Sequence, residues 1–210
     1  MSVIGTTICN TKYVVGSEFS SKGTSGTIYN IKHNKKLLVK IIPINRSNNR
    51  KQVLREIGFM TQTAALSISP KIYNAKFCKL ESKQYAFIVM EKFGDGTLED
   101  MFLAFNNMNF NRSKNHNVLQ NIGYDISQLF NKLYSLNIFH GDLHAQNILY
   151  KLSKSGKLQF RIIDFGYSKK ASNFGYFNRE NDCIASLNGT KEIKINNNIK
   201  TQYFNGKMLL

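Results

Sequence analysis

Eight residues, His140-Gly-Asp142-Leu-His144-Ala-Gln-Asn147, constrain this chain more than any others, because a second signal, Ile162-Ile-Asp164-Phe165-Gly166, follows after a short polar interval. Between the two, the runs 148–152 and 158–163 read as a hairpin bracketing Lys154-Ser-Gly156. The pairing puts a carboxylate able to orient a hydroxyl, Asp142, near an amide, Asn147, and a second carboxylate, Asp164. The last two are hard oxygen donors of the kind that hold Mg²⁺ beside a phosphate. A competing reading takes His140, Asp142 and His144 as a metal triad, since alternate positions of an extended segment share one side. It leaves Asn147 and Asp164-Phe165-Gly166 unexplained.

Further parts lie upstream in a fixed order. A glycine turn, Ser21-Lys-Gly23-Thr-Ser-Gly26-Thr-Ile28, sits between two short β-rich runs, and a strand at 36–42 is closed by Pro43. The segment 47–66 carries Val53, Leu54, Ile57 and Met60 at helical spacing, with Arg55 and Glu56 beside them. Strands are expected at 71–79 and 84–91, the second so apolar that both its faces must be covered. Gly94-Asp95-Gly96 reads as a linker. A helix over 97–105, an Asn-rich loop and a longer helix over 118–136 follow. In the longer helix Ile122, Ile126, Leu129, Phe130 and Leu133 form one core-facing stripe.

At 210 residues the chain can bury a substantial core. Its 29 Lys and Arg against 13 Asp and Glu leave a formal charge of +16, which favours an acidic protein substrate, nucleic acid or an accessory protein as partners. A plain lysine-rich solvated surface accounts for the same surplus, because the basic residues are spread along the chain. Cys9, Cys78 and Cys183 are odd in number and lack paired spacing, so free thiols in a reducing compartment are expected. No basic start with an apolar stretch opens residues 1–12, and no apolar run is long enough to cross a bilayer. The expectation is an intracellular soluble protein.

Taken together, the His140-to-Asn147 and Asp164-to-Gly166 motifs and the ordered parts upstream resemble the protein-kinase-like superfamily over about residues 13–190. The resemblance implies an α+β, two-lobed fold in one kinase-like domain: an antiparallel β-sheet N-lobe with one helix (about 13–93), a mainly helical, truncated C-lobe (94–190) and a polar tail (191–210). It also implies ATP and Mg²⁺ as cofactors. Asp142 would accept a hydrogen bond from the substrate hydroxyl, and Asn147 and Asp164 would hold the metal. Lys40 would hold the α- and β-phosphates and be oriented by Glu56. Ser21, Gly23, Gly26 and Ile28 would cover the nucleotide, while Met90, Glu91 and Phe93 would start the hinge that binds adenine. His140 is expected to pack under Phe165. Asp182 resembles the buried aspartate that supports the catalytic loop from beneath, with a helix N-cap as the alternative.

Three departures shape the expected activity. Gly141 replaces the arginine that in many regulated protein kinases pairs with a phosphorylated activation segment. His144 stands where serine/threonine kinases carry a lysine on the transferring phosphate. Only 44 residues follow Gly166, and no Ala-Pro-Glu is among them. In these respects the chain resembles aminoglycoside- and choline-kinase-like phosphotransferases, the small atypical kinase of the KEOPS complex and compact virus-encoded kinases, for which host cytoplasm or virion would be the place of action. The leading expectation is a serine/threonine protein kinase; the rivals are a small-molecule phosphotransferase and a nucleotide-binding scaffold.

Overall fold

A computed structural model describes residues 3–21, 26–46, 49–107 and 116–170. Gly23, Asp182, Cys183 and the 191–210 tail lie outside the described residues. The chain divides into two compact units, Met1–Lys92 and Phe93–Leu210.

The first unit is a five-stranded antiparallel sheet with one helix. Strands β1 (Val15–Ser20), β2 (Thr27–Ile31), β3 (Asn34–Pro43), β4 (Ile72–Leu80) and β5 (Lys83–Glu91) lie in the order β1-β2-β3-β5-β4. The apolar run in β5 is explained by its place between β3 and β4, where Ala86 to Met90 are all buried. Alternate side chains then serve two cores. Ala86 and Ile88 join Ile42 and Val53, while Phe87 and Val89 join Val15, Ile31, Leu37, Val39 and Ile41. Each fully buried aliphatic or aromatic side chain contributes about 1.5–3 kcal/mol relative to exposure, so leaving either face uncovered would be expensive.

Helix α1 (Arg50–Ala64) covers the first face. The Asn49 side chain caps it by accepting from the Gln52 N–H at 2.9 Å. Its buried stripe is Val53, Glu56, Phe59, Met60 and Thr63. Leu54, expected inside, is 50% exposed, because one position on from Val53 turns the side chain about 100° away. Glu56 takes the inward place.

The second face is closed by residues 3–14, which the sequence left unassigned. Ile8 is fully buried in that core, with Val3, Cys9 and Tyr13 packed beside it. Hydrogen bonds from Gly5 N–H to Val15 O and from Val15 N–H to Thr6 O dock this segment on β1. Left-handed turns at Cys9 (φ 44°) and Asn10 (φ 60°) fold it back. Cys9 is disulfide-bonded to Cys78 on β4, which corrects the expectation of free thiols for these two residues. They are 69 positions apart, so nothing in the local spacing announces the pair.

The second unit begins at Phe93. Gly94-Asp95-Gly96 is held by hydrogen bonds: Asp95 N–H donates to Tyr150 O, and the Asp95 carboxylate accepts from Leu152 N–H. β6 (Gly96–Thr97) pairs with β8 (Ile148–Leu152), which forms the expected hairpin with β9 (Leu158–Ile162). Thr97 and Asp100 cap each other at the start of α2 (Leu98–Asn107). On α3 (His116–Ser135) the expected stripe is buried, from Ile122 to Leu133, and the helix packs on β9 and on β7 (Ile138–Phe139). β7 pairs with β10 (Lys169–Lys170). Among the described residues no helix is long and apolar enough to cross a membrane.

Reducing the Cys9–Cys78 link is expected to lower the stability of the oxidised chain by roughly 2–4 kcal/mol, read as a lower urea midpoint, and Cys78→Ser should shift the midpoint as far without reductant. Equal midpoints for wild type with and without reductant would contradict the link.

Candidate functional site

In the first unit Lys40 and Glu56 form the expected ion pair. Lys40 lies in register between Ile28 of β2 and Ile88 of β5, and is only 8% exposed. A buried ammonium requires an anion, and Glu56, 3% exposed, supplies it with Oε1 at 2.7 Å from Nζ. Removing either partner strands the other charge in the core, which typically costs 3–5 kcal/mol. Gly26, at the mouth of β2, has a packing reason to be glycine: a Cβ there would sit 2.6 Å from the Ile41 carbonyl. Ser21 is exposed just past β1. At the end of β5 the N–H groups of Glu91 and Lys92 donate to the carbonyls of Lys71 and Lys36, and the Met90 side chain is buried.

In the second unit everything turns on His140, which is fully buried. Its Nδ1 accepts from the Asp142 N–H at 3.3 Å, so the ring proton belongs on Nε2, which donates to the Ile163 carbonyl at 3.0 Å. Burial pushes the imidazole down to about 4, against the pull of the Asp164 and Asp142 charges, so at neutral pH the ring is uncharged. Phe165 packs edge-on against it at 4.9 Å between centroids, as expected, and Ser168 Oγ donates to the His140 carbonyl. With both ring nitrogens engaged by the chain, His140 has no lone pair for a metal, which removes the His140-Asp142-His144 triad.

This one ring ties Asp142 to the segment that carries Asp164. The Ile163 N–H donates to the Asn147 carbonyl at 2.9 Å, closing the circle. Leu143 and Ile148 are buried and Leu149 half-buried, anchoring the loop from below. The Asp142 side chain is 41% exposed, open to a substrate, whereas Asn147 is only 8% exposed. Asp164 adopts a left-handed conformation (φ 63°, ψ 67°), one that Asp tolerates better than most residues. An amide oxygen and a carboxylate fit a hard divalent cation whose remaining ligands are phosphates and water.

Two residues do more than the sequence suggested. Gly141 has φ 83°, and a Cβ would lie 2.7 Å from the Tyr167 carbonyl, so the space an arginine would need is taken by the chain after Phe165. His144 does not stand apart from the loop: its Nε2 lies 2.9 Å from Asn147 Nδ2. Phe93 is buried under the Arg161 guanidinium, 4.7 Å from the ring centroid. The glycine at 141 carried a signal, since a residue that departs from a familiar motif toward glycine points to backbone crowding. For His144 the sequence held none.

The family model of the protein kinase domain matches residues 18–192. Among curated relatives, calcium-dependent protein kinase 5 of Plasmodium berghei (strain Anka) is 29% identical over 168 residues, covering 77% of this chain and 26% of that protein. Its counterpart in Plasmodium falciparum (isolate 3D7) is 28% identical over 64% of this chain and 22% of that protein. A probable serine/threonine-protein kinase of Dictyostelium discoideum, mkcF, is 28% identical over 69% of this chain and 19% of that protein. The chain thus spans about a quarter or less of the length of these relatives.

The neutral His140 makes a signed pH prediction. Between about pH 4 and 6.5 the unfolded chain binds a proton here that the folded chain refuses, so this residue's contribution to stability rises with pH across that window and is level above it. The change is about 3 kcal/mol. In urea unfolding, the stability deficit of His140→Gln relative to wild type is therefore expected to shrink as pH falls from 6.5 to 4.5; a constant deficit would contradict the account.

Proposed function

This chain belongs to the protein kinase domain family, and from that premise we propose that it is an ATP- and Mg²⁺-dependent serine/threonine protein kinase. The observation that carries the reading is the buried Lys40–Glu56 pair, kept in a chain that also keeps Asp142, Asn147 and Asp164 around a neutral His140. A chain that had lost catalysis would have no reason to bury an ammonium and a carboxylate together, because an apolar pair of the same volume is at least as stable there. The serine/threonine assignment is supported by the name of the Dictyostelium relative.

Lys40, fixed by Glu56, would hold the α- and β-phosphates as a point charge. Gly26 and Ile28, with Ser21 and Gly23, would cover the nucleotide. Because the N–H groups of Glu91 and Lys92 are already engaged, adenine would be read by other backbone groups between Met90 and Phe93. Asn147 and Asp164 would hold Mg²⁺, which when bound screens the phosphate charge. Asp142, whose side chain is 41% exposed, would orient the substrate hydroxyl and take its proton late in the transfer. Gly141 cannot accommodate an arginine, so control through an arginine-paired phosphate at that position is not part of the proposal.

The test is mass spectrometry after incubation with Mg·ATP and acidic or basic carrier proteins or small alcohols. Wild type should place phosphate on serine or threonine, and Asp142→Asn should lower the rate at least about 100-fold. Asp164→Ala should abolish transfer. Phosphate appearing on small alcohols alone would overturn the protein-substrate reading, and no transfer by wild type to any acceptor would overturn the enzyme.

A further inference from the structure

Two hydrogen bonds decide which way the Asn147 amide faces. Nδ2 lies 2.8 Å from the Asp142 carbonyl oxygen and 2.9 Å from His144 Nε2; Asp142 Oδ2, at 3.5 Å, is too far to compete. A carbonyl oxygen can only accept, so the amide atom facing it is the nitrogen and not the oxygen. The amide group has two protons, and these two acceptors take both. His144 Nε2 must then carry a lone pair, with the ring proton on Nδ1. That settles a second contact: the 3.7 Å separation between His144 Nε2 and Asp142 Oδ2 is not an ion pair, because Nε2 has no proton to give. With the nitrogen pinned on two sides, Asn147 Oδ1 is directed away from both acceptors.

We propose that His144 is a positioning residue for the divalent metal: by accepting from the Asn147 amide, it holds Oδ1 outward in the ligand orientation. This rests on the reading of Asn147 and Asp164 as metal ligands. It assigns His144 a task different from contact with the transferring phosphate. Without His144, the second amide proton is left with only the more distant Asp142 Oδ2, at 3.5 Å, and rotation of the amide is resisted less. Partners that orient a metal ligand typically contribute 10–100-fold to metal affinity.

The choice of substitutes makes the test specific. Glutamine places its Oε1 as many bonds from the backbone as Nε2, so His144→Gln keeps an acceptor where Asn147 needs one. In His144→Asn the acceptor stands at the Nδ1 position and cannot reach. Mn²⁺ would be titrated into the full chain with a non-hydrolysable ATP analogue, and free Mn²⁺ read by electron paramagnetic resonance. His144→Ala and His144→Asn are expected to bind Mn²⁺ about 10-fold more weakly than wild type, with His144→Gln restoring most of the loss. Equal Mn²⁺ affinity in all four proteins would overturn the proposal, as would equal loss in all three variants, which would mark a general packing role. If wild type binds the analogue but no Mn²⁺, the metal-ligand reading itself falls and this inference with it; the transfer assay with Asp142→Asn reports separately on catalysis.

Discussion

A charge that is prevented from forming organises the second unit. The His140 imidazole is surrounded by chain on all sides, and its two nitrogens bond the Asp142 amide and the Ile163 carbonyl. A protonated ring would need two acceptors, yet one of its neighbours is an N–H donor. Burial favours the neutral form, and the neutral form alone satisfies both hydrogen bonds. Because Asp142 follows on one side and Asp164 on the other, the spacing of the two carboxylates is set by one ring that carries no charge.

The first unit solves the opposite problem. Lys40 and Glu56 are also buried, and there the charges are kept by pairing them at 2.7 Å. The pair links β3 to α1, so the orientation of the ammonium depends on α1 packing through Val53 onto Ala86 and Ile88. The other side of the same sheet depends on residues 3–14, and on the Cys9–Cys78 link that fastens them to β4. The family match begins at residue 18, so the cover over this face is a feature of this chain lying before the matched segment.

Much of this was legible in the sequence where the signal is local. The α3 stripe, the β8–β9 hairpin, the doubly covered β5 and the packing of His140 on Phe165 follow from period, turn residues and one motif. What the sequence hid depends on contacts between distant residues or on one-residue shifts of phase. The disulfide joins positions too far apart for spacing to speak. Leu54 faces water because it lies one position, about 100°, off the α1 stripe that carries Val53 and the expected Glu56. Gly94 serves close approach, which no local pattern announces: a Cβ there would meet the Tyr150 carbonyl at 2.8 Å. His144 looked like a substitute for a phosphate-binding lysine, and only the position of Asn147 Nδ2 reveals its partner.

The most direct test of the account is a crystal structure with Mn²⁺ and a non-hydrolysable ATP analogue, using anomalous scattering to locate the metal. Mn²⁺ is expected about 2 Å from Asn147 Oδ1 and from an Asp164 carboxylate oxygen, shared with the phosphates of the nucleotide. A nucleotide bound with its metal away from both residues, or with the Asn147 amide nitrogen facing the metal, would contradict it.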